Sequence, residues 1–311
     1  MTVDRAPSDW TGRDDGPGSE HLRWHNAVRT GAQGRGTTLI GFASDAGVVR
    51  NLGRPGAASG PAALRSALGS MALQSDPGIA DLGDVVVTGD DDLEAGQARL
   101  GAAVASVLDG GGLPVVLGGG HEVAYGSYLG IADSRAVADG ARLGVLNLDA
   151  HFDLRDAPRP SSGTPFRQMA LREAGLGRRL DYAVVGISQP GNTRALFDEA
   201  ERLGVRYLQD DECGVLSMPA VEAFVQDFLA GVDAVYLTID LDVLPAAVAP
   251  GVSAPAGLGV PLEVVSRVCD VVAASGKLRL LDIAELNPSL DVDNRTARTA
   301  ARLIHRIVTR R

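Results

Sequence analysis

The chain has 311 residues, which suits one large domain or two small ones, and 45% of them are apolar, enough to fill a sizeable core. A formal net charge of −10 and an aromatic content of only 4% disfavour nucleic acids and anionic membranes as partners. Two cysteines without paired spacing predict neither a disulfide framework nor a cysteine-based zinc site. We find no run of about 20 apolar residues and no signal-peptide pattern at the N-terminus, so we expect a cytoplasmic protein.

The order of apolar and amphipathic stretches predicts an α/β fold. Residues 1–36 are polar and rich in Gly, Asp and Arg, which predicts an extended arm ahead of one α/β domain at 37–311. Short apolar runs that predict strands buried on both faces lie at 37–43, 85–88, 114–117, 143–148, 182–187, 234–239 and 278–283. Amphipathic stretches that predict helices lie at 62–73, 93–108, 193–203, 221–229, 262–274 and 294–308. The alternation predicts a mainly parallel central sheet with helices on both faces.

Acidic and imidazole side chains follow four of these predicted strands. The residues are His121, Asp149, His151, Asp153, Asp240, Asp242 and Glu285. Because the sites of such sheets form beyond the carboxyl ends of the strands, we expect these side chains to converge on one crevice. Buried carboxylates repel one another and cost several kcal/mol to desolvate unless cations accompany them. The pattern therefore predicts bound metal ions.

The spacing within the first motif constrains its shape. In a fully extended strand Asp149 and Asp153 would lie roughly 13 Å apart, at about 3.3 Å per residue. That is too far for a compact metal pair, whose ions lie about 3.5–4 Å apart. A helix would bring the two carboxylates together but would turn His151 to another face. We therefore expect the chain to leave the strand near Asp149 and to curl around the metal.

The type of ligand indicates the type of metal and substrate. Six carboxylate and imidazole ligands suit two manganese-like ions better than structural zinc, which prefers four ligands. Two divalent ions can hold hydroxide at neutral pH. Four Asp and one hydroxide against two divalent ions leave a net charge of about −1 at the site. That charge favours a cationic substrate, such as an amidine or guanidine. Each motif has an alternative interpretation: Asp-x-Asp as a helix cap, Gly-Gly-Gly-His as a surface loop, and Glu285 as the partner of an arginine. The remaining histidines, which we expect to face solvent, are His21, His25 and His305.

Five segments resemble the ureohydrolase superfamily of arginases, agmatinases and formimidoylglutamases. They lie at 118–122, 149–155, 161–167, 238–243 and 281–288, and the resemblance extends over about 37–308. It implies an arginase-type three-layer α/β/α sandwich with two Mn²⁺ per subunit, in a trimeric or hexameric homo-oligomer. The resemblance implies that Asp149 and Asp240 bridge the two ions. His121 and Asp153 would complete the site of the first ion, and His151 and Asp242 that of the second.

Within the superfamily the chain looks most like the formimidoylglutamases of histidine degradation. Ser162 stands where agmatinases have a histidine, and Phe166 stands where arginases have a proton-shuttling histidine. The resemblance implies hydrolysis of N-formimidoyl-L-glutamate to L-glutamate and formamide by a metal-bridging hydroxide, with Asp153 orienting the hydroxide and Glu285 holding the amidinium. The alternatives are an agmatinase or guanidino-acid amidinohydrolase that releases urea, and an inactive metal-binding homologue.

A small anionic amidine substrate of this kind needs cationic side chains, because its two carboxylates are best bound by the planar fork of arginine. Arg155 follows the metal motif, Ser162 and Arg167 lie in the next loop, and Gln189 stands near the position of an arginase acid that contacts the substrate amine. We therefore predict that Arg155, Ser162, Arg167 and Gln189 contact the substrate. The alternative for each arginine is a surface ion pair.

Overall fold

The computed structural model describes residues 3–31, 34–135 and 140–310. Its nine strands form one sheet in which every pairing between strands is parallel. They are β1 (Arg29–Thr30), β2 (Thr37–Ala43), β3 (Ile79–Val86), β4 (Leu113–Leu117), β5 (Leu143–Leu148), β6 (Asp181–Ile187), β7 (Arg206–Gln209), β8 (Ala234–Asp240) and β9 (Leu278–Ala284).

Helices cover both faces of the sheet. They are α1 (Trp24–Ala27), α2 (Ala46–Arg50), α3 (Gly60–Gly69), α4 (Leu93–Asp109), α5 (Val123–Ala132), α6 (Pro165–Gly175), α7 (Arg194–Leu203), α8 (Met218–Ala230), α9 (Leu262–Ala274) and α10 (Arg295–Arg310). Helices α3, α8, α9 and α10 bury their apolar sides in one core cluster, and α4 to α7 bury theirs in a second. The predicted three-layer α/β/α sandwich is confirmed.

The order of the strands brings the four polar motifs together. Across the sheet the order is β1-β3-β2-β4-β9-β8-β5-β6-β7, so β4, β9, β8 and β5 are adjacent. Their ends are also in register, because Leu117 and Ile239 both pair with Ile283, and Ile239 pairs with Leu148. The residues that follow these four strands therefore leave the sheet at one edge and at the same height.

Strand β3 begins at Ile79, six residues before the predicted start. The difference arises from Asp81 and Asp84, which are buried within the strand although acidic residues are typical of loops. Arg65 of α3 lies 2.7 Å from Asp81 and 2.5 Å from Asp84. Arg5 also lies 2.5 Å from Asp84, so two arginines compensate the two carboxylates. An ion pair between distant elements thus allowed a strand that the local pattern did not predict.

Six further elements were not predicted: the short helices α1 and α2, of four and five residues, together with β1, β7, α5 and α6. Strands β1 and β7 are short edge strands of two and four residues; both residues of β1 are exposed, and those of β7 are at most partly buried. Helix α5 is apolar on nearly every side because it is buried between neighbours, so it lacks the amphipathic pattern. Helix α6 begins with Pro165, a residue favoured in the first turn of a helix.

The segment before β2 packs against the first edge of the sheet in its described part. Trp24 is fully buried, its ring stacks on that of Trp10 at 6.3 Å, and β1 pairs with β3. Trp24 Nε1 donates a hydrogen bond to Nδ1 of His305 on α10 (3.0 Å). The expectation that His305 and His25 face solvent was wrong, since both are half-buried, whereas His21 is exposed. The division into an arm and a domain stays a prediction.

The part of the chain that the structure describes contains no helix with the length and apolar composition needed to cross a bilayer.

We expect the Trp24–His305 contact to make stability depend on pH. Burial and, secondarily, Arg302 lower the pKa of His305 below its ordinary value of 6.5. A lowered pKa means that the unfolded chain binds the proton more readily than the folded chain does. The contribution of neutral His305 to the free energy of unfolding is therefore complete above pH 6.5 and is lost as the pH falls. In urea unfolding followed by tryptophan fluorescence, the wild type should lose stability relative to His305→Asn between pH 7 and pH 5. The exposed His21→Asn serves as the control, and parallel profiles for the wild type and His305→Asn would contradict the expectation.

Candidate metal centre

The chain turns sharply where the polar motifs leave the sheet. Strand β5 ends at Leu148, and the backbone at Asp153 is left-handed, with φ +49°. Such a conformation costs a residue with a side chain of order 1 kcal/mol or more and is found where the surroundings require it. The predicted curl of the chain after Asp149 is thereby confirmed. Glu285, directly after β9, has φ +68° and is strained in the same way.

The glycine tract after β4 places His121 in this crevice. A Cβ atom at Gly119 would lie 1.8 Å from the Ser44 carbonyl oxygen, so only glycine fits against that backbone. Gly120 N–H donates to the same oxygen, and the Gly119 carbonyl accepts from Glu285 N–H (2.8 Å). His121 is 1% exposed, which rules out its being a surface histidine.

His121 and three carboxylates form the first group of candidate ligands. Its Nδ1 atom lies 3.2 Å from Asp149 Oδ2, 3.0 Å from Asp153 Oδ2 and 3.0 Å from Asp240 Oδ2. The four ligand atoms all lie within 4.8 Å of one another. The side chains come from the ends of β4, β5 and β8, so this group depends on the strand order.

Asp149 also belongs to a second group, with His151 and Asp242. His151 Nδ1 lies 3.1 Å from Asp242 Oδ2 and 3.6 Å from Asp149 Oδ1. The structure thus brings together all six predicted ligands, in two groups that share Asp149. Asp240 lies in the first group only, and its predicted role as a second bridge stays a prediction.

The residues fit a divalent metal ion. His121 Nε2 lies 3.0 Å from Thr238 Oγ1, while the buried Nδ1 has no hydrogen-bond partner among the described residues. With Nε2 donating to the hydroxyl group, Nδ1 directs its lone pair toward three carboxylates that themselves only accept. A cation between them satisfies all of these atoms, and a mixture of carboxylate and imidazole donors is suited to divalent transition metals.

Burial and charge repulsion act strongly on the acidic ligands. Burial, followed by the charges of Asp242 and Asp149, raises the pKa of Asp240 to about 7. Burial and the charge of Asp149 raise the pKa of Asp153 to about 6. Burial also acts to raise the pKa of Asp149, but contacts with His121 and His151 outweigh it, so that this pKa is lowered. Without a metal cation, His121 and His151 are the positive partners of these carboxylates, and they do not offset the repulsion among them.

Polar residues behind the ligands were missed by the sequence analysis. Asn147 Nδ2 donates to Asp149 Oδ2 (2.8 Å), and Thr238 holds His121. Each lies two residues before an acidic ligand, Asp149 or Asp240, in a strand that is otherwise apolar. Alternate residues of a strand share a face, so a polar residue at this position was the available signal.

A cavity of about 350 Å³ opens above the two groups. Of the predicted substrate-binding residues, Arg155 and Ser162 line it, together with Glu285. Arg167 does not, because its guanidinium lies 3.1 Å from Asp156 and 3.7 Å from Glu199 in surface ion pairs. Gln189 is exposed in a 3₁₀ turn and does not line the cavity either. Asn51, Arg54 and Ser253 also line this cavity and were not predicted to do so.

Glu285 is held at the floor of this cavity. Its Oε1 atom accepts a hydrogen bond from the backbone N–H of His121 (2.8 Å), and the residue is 6% exposed. Burial and the charges of Asp240 and Glu122 raise its pKa well above the ordinary value. Phe166 lies outside the cavity lining, fully buried, with its ring 5.3 Å from that of His121.

Comparison with known proteins places this geometry in one family. Residues 35–309 match the Arginase family. A formimidoylglutamase from Rhodococcus opacus is 63% identical over 308 residues, which cover 98% of this chain and 96% of that protein. A formimidoylglutamase from Ralstonia nicotianae is 52% identical over 315 residues, covering 99% of this chain and 97% of that protein.

Solved structures show the same fold. A formiminoglutamase from Trypanosoma cruzi, crystallised with Mn²⁺, has a TM-score of 0.78 and 27% identity, covering 88% of this chain and 92% of that chain. An arginase from Bacillus subtilis has a TM-score of 0.74 and 25% identity, covering 89% of this chain and 99% of that chain.

We expect the acidic ligands to destabilise the protein when no metal is bound. Asp240→Asn removes a charge that burial disfavours, and its amide oxygen can still accept from Asp242 N–H, as Asp240 Oδ1 does at 2.9 Å. By calorimetry without metal, the variant should have a higher Tm than the wild type above pH 7. Because the folded-state pKa of Asp240 is raised to about 7, the difference should shrink as the pH falls toward the ordinary value of 3.8.

Added Mn²⁺ should raise the Tm of the wild type more than that of Asp240→Asn, because a bound ligand stabilises the folded state. Asp227→Asn, an exposed aspartate paired with Arg206, is the matched control and should change neither result. A metal-free Asp240→Asn protein that is less stable than the wild type at pH 8 would contradict this account.

Proposed function

The chain belongs to the arginase family, and we propose that it hydrolyses N-formimidoyl-L-glutamate to L-glutamate and formamide with two Mn²⁺ ions as cofactors. Water adds to the amidine carbon, and the bond from that carbon to the glutamate nitrogen breaks. The observation that carries the proposal is the complete set of six ligands beneath a cavity that also holds an acid and an arginine without an ion-pair partner. The 63% identity to a formimidoylglutamase over nearly the full chain supports it.

Two divalent ions would be held by the groups that share Asp149, and when bound they would supply a water molecule of lowered pKa and a positive field at the reacting carbon. The choice of manganese rests on the mixture of carboxylate and imidazole donors and on the Mn²⁺ in the related Trypanosoma cruzi enzyme. Within the first group, Asp153 orients the attacking water, since its carboxylate is fixed by a left-handed backbone and lines the cavity.

Glu285 holds the amidinium end of the substrate. Its Oε1 atom is engaged by the His121 backbone, and in the described part of the chain the other oxygen has no protein hydrogen bond. A protonated amidine is planar and presents N–H donors, so it supplies the positive charge that this buried carboxylate lacks. The same contact would fix the amidine carbon above the metal groups.

Arg155 binds a carboxylate of the substrate from the wall of the cavity. Its backbone N–H donates to Gly163 O (2.9 Å), which ties it to the loop that carries Ser162. Its guanidinium has no ion pair with any described residue, in contrast to that of Arg167. A free guanidinium beside an acidic floor suits a substrate with a cationic amidine and anionic carboxylates. Trimeric or hexameric assembly and a cytoplasmic location are further predictions.

The reaction products test the proposed function. The Mn²⁺-loaded protein should release formamide and L-glutamate from N-formimidoyl-L-glutamate, and it should release no urea from agmatine or from guanidino acids of similar length. Asp149→Asn, which alters the ligand shared by both groups, should abolish formamide release if the chemistry occurs at this site. Urea from a guanidino acid, with no turnover of N-formimidoyl-L-glutamate, would overturn the proposal.

A pair of arginine variants tests the carboxylate contact. Arg155→Gln should lower kcat/KM for N-formimidoyl-L-glutamate by about 10- to 100-fold, the range expected for one hydrogen bond to a charged group. Most of the change should be a higher KM, because the contact is present in both the ground state and the transition state. Arg167→Gln is the matched control and should behave like the wild type, since Arg167 is engaged by Asp156 and Glu199. Equal effects of the two substitutions would refute the assignment.

A further inference from the structure

The cavity has a second arginine at its rim, Arg54, in the loop that follows α2. Its backbone N–H donates to Ser253 Oγ (2.8 Å), and its side chain reaches the same segment. Nε donates to Ser253 O (3.0 Å), and Nη2 donates to Val252 O (2.7 Å). These bonds fix the guanidinium across the cavity wall and occupy two of its five N–H donors.

The acceptors that Arg54 uses are all neutral. Most arginines that the structure describes lie within 4.0 Å of a carboxylate oxygen. Neither Arg54 nor Arg155, the two that line this cavity, has such a partner in the described part of the chain. In a protein with a net charge of −10, two uncompensated guanidinium groups at one rim indicate that the ligand supplies the anions.

We propose that Arg54 is a specificity-determining residue that binds the side-chain carboxylate of the substrate, while Arg155 binds the α-carboxylate. The inference rests on the proposed function. Arg155 follows the candidate ligand Asp153 by two residues, so its backbone lies within about 7 Å of the backbone of that ligand. The α-carboxylate is the one closer to the amidine along the substrate.

Arg54 belongs to a separate segment and is held against the loop at 252–253, on another part of the wall. Both arginines are exposed, but Arg54 is not next to any candidate ligand in the sequence, which suits the carboxylate farther from the reacting carbon. Two guanidinium groups on different segments fix both the length and the charge of the substrate. A substrate with one carboxylate would leave one of them without an anion.

The experiment compares two substrates that differ in one charge. Wild type and Arg54→Gln are assayed with N-formimidoyl-L-glutamate and with N-formimidoyl-L-glutamine, whose side-chain amide has the same shape but no charge. For the acid, Arg54→Gln should lower kcat/KM by about 10- to 100-fold, mainly through KM. For the amide, the wild type and Arg54→Gln should differ by less than about 2-fold, because no charge-assisted bond is lost.

Arg279→Gln is the matched control. Arg279 also donates only to backbone carbonyls, those of Gly276 and Leu278, but it lies at the start of β9, far along the strand from the cavity. This variant should have wild-type kinetics on both substrates. If Arg54→Gln fails to fold, Arg54→Lys replaces it, and its loss should be smaller than about 10-fold and confined to the acid, because lysine keeps the charge but not the fork.

The outcomes separate the two proposals. A wild type that does not turn over N-formimidoyl-L-glutamate would overturn the proposed function and this inference with it. A wild type that does so, together with an Arg54 variant that is impaired equally on both substrates, would overturn this inference alone. In that case the side chain would only brace the loop at 252–253.

Discussion

Negative charge is concentrated at the carboxyl ends of four adjacent strands, and this repulsion dominates the energetics of the site. Asp149, Asp240 and Asp242 are almost completely buried. Their mutual repulsion is only partly relieved by His121 and His151, each of which lies within 4 Å of carboxylate oxygens. A divalent cation removes the remaining imbalance, so the fold and the metal-binding chemistry depend on each other.

The sheet also contains buried carboxylates that are neutralised by the protein itself. Asp81 and Asp84 are also buried, but two arginines compensate them: Arg65 hydrogen-bonds to both, and Arg5 pairs with Asp84. That cluster carries its own cations and is a structural element. The carboxylates at the strand ends have no arginine within ion-pair distance among the described residues, and this contrast separates a structural charge cluster from one suited to binding metal.

The cavity is polarised along its depth. Its floor is acidic, with Glu285 beside the ligand groups, whereas its rim has the unpaired guanidinium groups of Arg54 and Arg155. Membership of the arginase family accounts for the floor, which suits any cationic amidine or guanidine. The rim accounts for the preference that we propose for a substrate with carboxylates, because each guanidinium lacks an anion from the protein.

Much of the site followed from the sequence alone. The six candidate ligands, their positions after strands and the curl of the chain near Asp149 were all predicted, because alternation of apolar and polar residues is a local property and the ends of parallel strands share one edge. Strand β3 was mostly missed, since its Asp81 is tolerated through contacts with Arg65, sixteen residues earlier in the chain, and with Trp10. The pattern of residues within a strand does not show which charged residues of other elements will pair with it.

What the tertiary structure alone decided is which arginines remain free. Arg155 and Arg167 were indistinguishable as candidates in the sequence, yet Arg167 meets Glu199 of α7 and Asp156, while Arg155 faces the cavity. Arg54 gave no signal at all in the sequence. The candidate metal ligands could be predicted from the sequence, because ligand chemistry depends on residue type and on position relative to a strand. The folded chain decided the contacts available to the substrate, because ion pairing depends on distances between segments that are remote in sequence.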